Sequence, residues 1–239
     1  MTDGDLLPMP TDWQRALAVV AHPDDLEYGC AGAVAKWTAQ GRAVTYLLAS
    51  RGEAGIDGLE PERCAEVRTA EQIASAAVVG VDQVEFLDHP DGLIEYGIPL
   101  RREIAAAIRR HRPELVVLIN HHDTWENGWL NMADHRHVGQ AALDAVRDAG
   151  NRWLFRDLGL EPWGGVRWAA IGASPHCTHA EDITDTLDRG IASLREHKAY
   201  LDGLGGEMGD PEVLLRDVAI EAGKRFGGRP ACTFELVTC

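Results

Sequence analysis

Val19-Val20-Ala21-His22-Pro23-Asp24-Asp25-Leu26-Glu27 is the stretch on which the reading of this chain turns. Residues 16–21 are an unbroken apolar run of the length of a buried strand. The run stops at a histidine, a proline and two aspartates. Residues 28–40 then have helical character and end at Gly41, with Gly29 and Gly32 allowing close packing on a sheet. An ionisable cluster therefore sits where a strand hands over to a helix. In open α/β sheets that edge is where ligands bind.

The pattern repeats outward from there. Residues 43–49 read as a second strand, ending in Ser50-Arg51-Gly52-Glu53. Residues 60–79 read as a long helix carrying Arg68 and Glu71. Residues 84–87 read as a short strand closed by Asp88-His89-Pro90-Asp91-Gly92. A helix over 99–111 is stopped by Pro113, and 115–119 is a strongly apolar strand. Residues 120–133 form a long segment rich in His, Asn, Gly and Trp, of a length that is either functional or disordered. A helix over 134–149 follows, with Asp134 as N-cap. After a Trp-rich connector over 152–163 come a strand at 167–172, a helix at 183–201 stopped near Gly203, a helix at 211–222 and an edge strand at 233–237. Residues 1–12 read as a loose lead-in. This alternation predicts one α/β domain over 1–239: a Rossmann-like, mainly parallel sheet with helices on both faces.

Composition narrows the partners. The formal net charge of -15 argues against nucleic acid or an anionic membrane, which call for basic patches. No apolar run is long enough to span a membrane. The start, Met1-Thr2-Asp3-Gly4-Asp5, lacks the basic region of a signal peptide. The five cysteines show no CxxC spacing, which fits unpaired thiols in a reducing cytoplasm. The remaining partner class is a small molecule, and an acidic surface with open sheet edges is compatible with a monomer or a homo-oligomer.

His22 and Asp25 are three apart at a strand-to-helix junction, so one helical turn brings them to the same side. Imidazole and carboxylate are zinc ligands, and a catalytic zinc takes three protein ligands plus water. His135 opens the helix after another apolar strand, on the same sheet edge, and can supply the third. Asp24 points off that face and can act as a general base. Plain helix capping by an Asp pair explains Asp24 and Asp25 equally well from spacing alone.

Ala21-His22-Pro23-Asp24-Asp25-Leu26-Glu27 resembles the AHPDDxE signature of the PIG-L/LmbE-like family of zinc-dependent N-acetylglucosaminyl deacetylases and amidases. Asp134-His135-Arg136 with Val138-Gly139 is similar to that family's second signature, HPDHRxVG. Ser50-Arg51-Gly52-Glu53, Arg68 with Glu71, and Asp91-Gly92 resemble its intermediate elements, in the right order over residues 16–150. The resemblance implies Zn2+ held by His22, Asp25 and His135, with Asp24 as the base that later passes its proton to the leaving amine. It also implies hexosamine contacts at Arg68 and Asp91, with Arg51 on the same edge.

One position departs from the family pattern. Where the second signature begins with a histidine, this chain has Met132, and a thioether cannot donate to an oxyanion. His121 and His122 are the candidates to replace it. Trp125 and Trp129 can stack on a sugar face. His137 is expected to point away from the metal, and His176, His179 and His197 carry no derivable role. The implied activity is removal of an N-acetyl group from an amino-sugar conjugate. The alternatives are an amidase acting on a thiol conjugate or other non-sugar amide, and a metal-binding protein without turnover.

Overall fold

The computed structural model describes residues 4–204 and 210–239. An eight-stranded sheet runs through the chain. Its strands are β1 (Leu7–Pro8), β2 (Arg15–Val20), β3 (Ala43–Leu48), β4 (Gln83–Phe86), β5 (Leu115–Ile119), β6 (Trp168–Gly172), β7 (His179–Asp182) and β8 (Ala231–Thr238), in the order β1-β7-β8-β6-β5-β2-β3-β4. Every pair is parallel except those made by β8, which runs against β6 and β7.

The apolar strands are covered on both faces, as a parallel sheet requires. In β2, Ala16, Ala18 and Val20 face one core, packed with α1 (Asp25–Gly29), α2 (Ala31–Ala39) and α6 (Leu187–Leu194). Leu17 and Val19 face the other, against α4 (Ile98–His111) and α5 (Ala133–Gly150). Two further helices, α3 (Pro61–Val78) and α8 (Pro211–Gly223), and the short α7 (Lys198–Gly203) complete the described helices apart from one 3-10 turn. From β2 the chain moves outward to β3 and β4, then returns to the other side of β2 as β5. The carboxyl ends of β2 and β5 therefore flank the point where strand order reverses, which is the crevice of such sheets.

Four expectations need correction. The last strand is not an edge: β8 lies between β6 and β7, and the edges are β1 and β4. The lead-in supplies β1, where Pro8 is tolerated because an edge strand need not donate on both sides. The helix expected over 183–201 is two helices, α6 and α7. The break at residues 195–197 has His197 at φ -78 and ψ 55, with its side chain buried. Likewise the helix after β2 starts already at Asp25 and breaks at Cys30, φ -158. All five cysteines are free, and no helix among the described residues is long and apolar enough to cross a membrane.

Candidate active site

The turn after β2 places His22, Asp24 and Asp25 at the crevice, and all three are buried. Asp25 opens α1, and its Oδ2 accepts the amides of Ala21 and His22 at 3.0 and 2.9 Å. This closes the turn and leaves Oδ1 facing His135, whose Nε2 is 3.1 Å away. His22 Nδ1 stands 3.8 Å from the same oxygen. One ligand atom from each of His22, Asp25 and His135 fits within 4.8 Å of the others.

Each of these side chains is fixed by its other atom. His22 Nε2 lies 3.1 Å from Asp134 Oδ2 and 3.0 Å from Asp91 Oδ1, so the ring proton belongs there and Nδ1 is the free lone pair. Asp134 is held in turn by the amides of Gly92 (2.7 Å) and Ile94 (3.2 Å). It does not cap α5; the N-cap is Met132, and Asp134 is a buried link between that helix and His22. His135 Nδ1 contacts Asn131 Oδ1 at 2.9 Å. The Asn131 amide nitrogen donates to the carbonyls of Asn120 and His122, so its oxygen must be the atom facing the ring. His135 therefore carries its proton on Nδ1, and its buried Nε2 has no hydrogen-bond partner.

That is the test of fit for a metal. His135 Nε2 and Asp25 Oδ1 face each other at 3.1 Å, both buried, an arrangement that a shared proton or a metal cation between them satisfies. Ligand atoms on a tetrahedral zinc at about 2.0–2.1 Å lie roughly 3.3 Å apart, close to the spacing here. The fields agree. Burial pulls the His22 ring down, but Asp134, Asp25 and Asp91 outweigh it and push the ring well above the usual histidine value. Burial raises the Asp25 carboxyl, yet the two histidines hold it far below the ordinary range. A His-His-Asp group able to hold a metal ion is thus in place. The outer contacts through Asn131 and Asp134 fix the rings, as metal sites generally require.

Asp24 sits beside this group in a strained backbone conformation, φ +89. Burial pushes its carboxyl up to about 6, against the opposing pull of Arg68. Arg68, 3 % exposed, lies underneath: Nη2 is 3.3 Å from Asp24 Oδ2 and donates to Pro23 O at 2.6 Å, and Nη1 donates to Gly52 O at 3.2 Å. Its guanidinium stacks on Tyr200, 4.3 Å from the ring centre. Gly52 and Gly55 leave it room; a methyl on either would overlap the guanidinium. These are partners within the protein, different from the sugar hydroxyls that the resemblance implies. Glu71 is not paired with Arg68; it accepts the amide of Ala199.

The other expected residues are distributed unevenly. Asp91 joins the cluster through His22, and its Oδ2 accepts the amide of Ala54. Trp125 is half-buried and stands edge-on to His135, 5.9 Å between centres at 88°. Arg51 turns instead to Leu87 O and Asp88, on a neighbouring cleft of about 310 Å³. His122 pairs with Glu235 at 2.7 Å, stacked on His121 and edge-on to His176. Burial keeps the His121 ring neutral-leaning, below the usual value. Trp129 is exposed, Met132 half-exposed, and His137 turns to Ile94 O.

The family model described as PIG-L, GlcNAc-PI de-N-acetylase, matches residues 17–146, which hold every element of this cluster. The chain belongs to the PIG-L family. It is 31 % identical over 228 residues to the diacetylchitobiose deacetylase of Thermococcus kodakarensis, covering 92 % of this chain and 82 % of that one. It is 38 % identical over 184 residues to the 1D-myo-inositol 2-acetamido-2-deoxy-alpha-D-glucopyranoside deacetylase of Kineococcus radiotolerans, covering 63 % of this PIG-L chain and 49 % of that relative. Among solved structures, the N,N'-diacetylchitobiose deacetylase of Pyrococcus horikoshii superposes with a TM-score of 0.85 at 24 % identity, over 95 % of this chain and 84 % of that one, a likeness of fold.

Residues absent from the motif reading are Asn131, which orients His135, and Gln72, which accepts the Asp24 amide. Gln72 was detectable: Cys64, Arg68, Gln72 and Ser75 recur on one face of α3, and all are buried.

Proposed function

We propose that this PIG-L protein hydrolyses the acetamide of an N-acetylated amino-sugar conjugate, releasing acetate and a free amine, with a zinc ion held by His22, Asp25 and His135. The observation that carries this is the buried His135 Nε2, without a hydrogen-bond partner, facing Asp25 Oδ1 at 3.1 Å, with Asp24 at hand beside them. When bound, zinc supplies a Lewis acid that brings water towards a pKa of about 7 and polarises the amide carbonyl.

The chain's own groups do the rest. Asp24 takes a proton from the attacking water as its oxygen bonds to the carbonyl carbon. It then returns that proton to the amide nitrogen as the C–N bond breaks. A carboxyl raised to about 6 by burial is a better base than an exposed aspartate and still ionised at neutral pH. Arg68 steadies the carboxylate. Asp134 and Asn131 keep the His22 and His135 rings turned to the metal side. Trp125 forms an aromatic wall over His135, suited to the apolar face of a sugar ring. The names of the relatives point to the 2-acetamido-2-deoxyglucose unit as substrate.

The test is Asp24→Asn assayed on N,N'-diacetylchitobiose. Zinc content should stay at that of the unmodified protein while turnover falls by about 10²–10⁴. Full activity in this variant would remove Asp24 from the chemistry.

A further inference from the structure

Beneath the site, the inward face of α3 is polar where a packed helix is ordinarily apolar. Gln72, 1 % exposed, accepts the backbone amide of Asp24 through Oε1 at 2.9 Å. Its Nε2 donates to Glu27 Oε1, also at 2.9 Å, and Ser75 Oγ donates to the same oxygen at 2.6 Å. Ser193 of α6 backs Ser75, its Oγ donating to the Ser75 carbonyl at 3.1 Å. His197 Nε2 approaches Glu27 Oε1 to 3.8 Å. Glu27, Ser75, Ser193 and His197 are all buried. One buried acceptor, Gln72 Oε1, meets the Asp24 amide, and Glu27, with Ser75 behind it, fixes how that acceptor is turned.

The conformation concerned is that of Asp24. At φ +89 it occupies the left-handed region, which costs a non-glycine residue of order 1–3 kcal/mol and persists only where the surroundings over-determine it. Asp25, the next residue, is regular helix with its carboxylate tied to Ala21 and His22. The left-handed turn at Asp24 is therefore what separates two adjacent carboxylates, one turned to His135 and the other to Arg68. Gln72 could not hold it if its amide were flipped, because Nε2 would then face an N–H. Glu27, accepting from Nε2, fixes the orientation.

We propose that Gln72 is a positioning residue for Asp24: it holds Asp24 in the left-handed turn that keeps its carboxylate apart from the metal ligands, and Glu27 with Ser75 locks the Gln72 amide for that task. This rests on the reading of Asp24 as the base. A reacting group misplaced by about 1 Å can lose 10²-fold in rate, so the effect belongs in kcat and not in substrate affinity.

The experiment compares Gln72→Leu, Gln72→Glu, the swap Gln72→Glu with Glu27→Gln, and Asp24→Asn, all zinc-loaded, on N,N'-diacetylchitobiose, together with amide hydrogen exchange at Asp24. Gln72→Leu should keep the zinc content and KM of the unmodified enzyme, lose about 10–100-fold in kcat, and exchange the Asp24 amide at least about tenfold faster while the β2 amides stay protected. Gln72→Glu sets two acceptors against each other and should be impaired. The swap restores an acceptor for Asp24 and a donor between the pair, and should recover kcat to within about threefold. Should Gln72→Leu not fold, the contrast between Gln72→Glu and the swap decides alone. Unchanged Asp24 exchange, unmodified kcat in the single variants, or a swap that recovers nothing overturns the proposal. Full activity in Asp24→Asn overturns the reading of the base instead, independently of what Gln72 does.

Discussion

Replacing Arg68 with methionine distinguishes the two roles open to it. The side chain is nearly inaccessible, and its nitrogens are engaged by Pro23 O at 2.6 Å, Gly52 O at 3.2 Å and Asp24 Oδ2 at 3.3 Å, with Tyr200 stacked beneath. Methionine keeps the length and loses the charge. It leaves Pro23 O without its donor and the Asp24 carboxylate buried without its cation. Breaking one side of a buried pair typically costs about 3–5 kcal/mol. For a chain of this size each kcal/mol moves the melting temperature by roughly 2–4 °C, so a fall of roughly 6–20 °C is expected. The assay is urea or thermal unfolding of the metal-free protein at pH 8, with KM measured on the zinc-loaded form. A loss below about 1 kcal/mol, with KM alone raised, would refute the structural role and return Arg68 to the substrate.

Two further outcomes follow from the same geometry. In the metal-free chain, burial raises the Asp24 carboxyl from 3.8 to about 6, so the fold favours its protonated form. The group is neutral in both states below about pH 3; as pH rises from there its ionisation comes to oppose folding, by up to about 3 kcal/mol above pH 6. Asp24→Asn should therefore stabilise the metal-free chain above pH 6 and leave it unchanged below about pH 3, as read by urea unfolding at both; a benefit that does not vanish in acid contradicts the assignment. Asn131→Ala frees the His135 ring and should weaken zinc binding by about 10–100-fold in a chelator competition, since outer contacts to metal-bound histidines typically carry that much.

What the sequence disclosed about the fold follows how locally each feature is encoded. The apolar runs that became β2, β3 and β5 are strands buried on both faces, so their composition alone announces them. β7, His-Ala-Glu-Asp, has no apolar alternation to mark it as a strand. β8 was legible as a strand, but its insertion between β6 and β7 is a tertiary fact; nothing in residues 231–238 says which neighbours they will have. The helix breaks at Cys30 and His197 carry neither glycine nor proline at the break itself.

The site divides the same way. His22, Asp25 and His135 could be brought together from the rule that helices after parallel strands begin on one sheet edge. For Arg68 the resemblance implies a hexosamine contact; its engagement inside the protein depends on the room left by Gly52 and Gly55, in the loop that precedes α3, and no motif shows that those glycines face it. Asn131 and Gln72 are neutral amides whose importance lies in which atom each turns to its neighbour, and no motif records that. Only the polar stripe at 64, 68, 72 and 75 was there to be seen.

The central claim is that His22, Asp25 and His135 hold a zinc ion on which amide hydrolysis depends. It is tested most directly by measuring zinc per chain in the purified protein and acetate released from N,N'-diacetylchitobiose, before chelation, after chelation and after zinc is restored. One zinc per chain, loss of release on chelation and its return with zinc are expected. A chain that takes up no zinc on reconstitution, or releases acetate equally well without it, would contradict the claim.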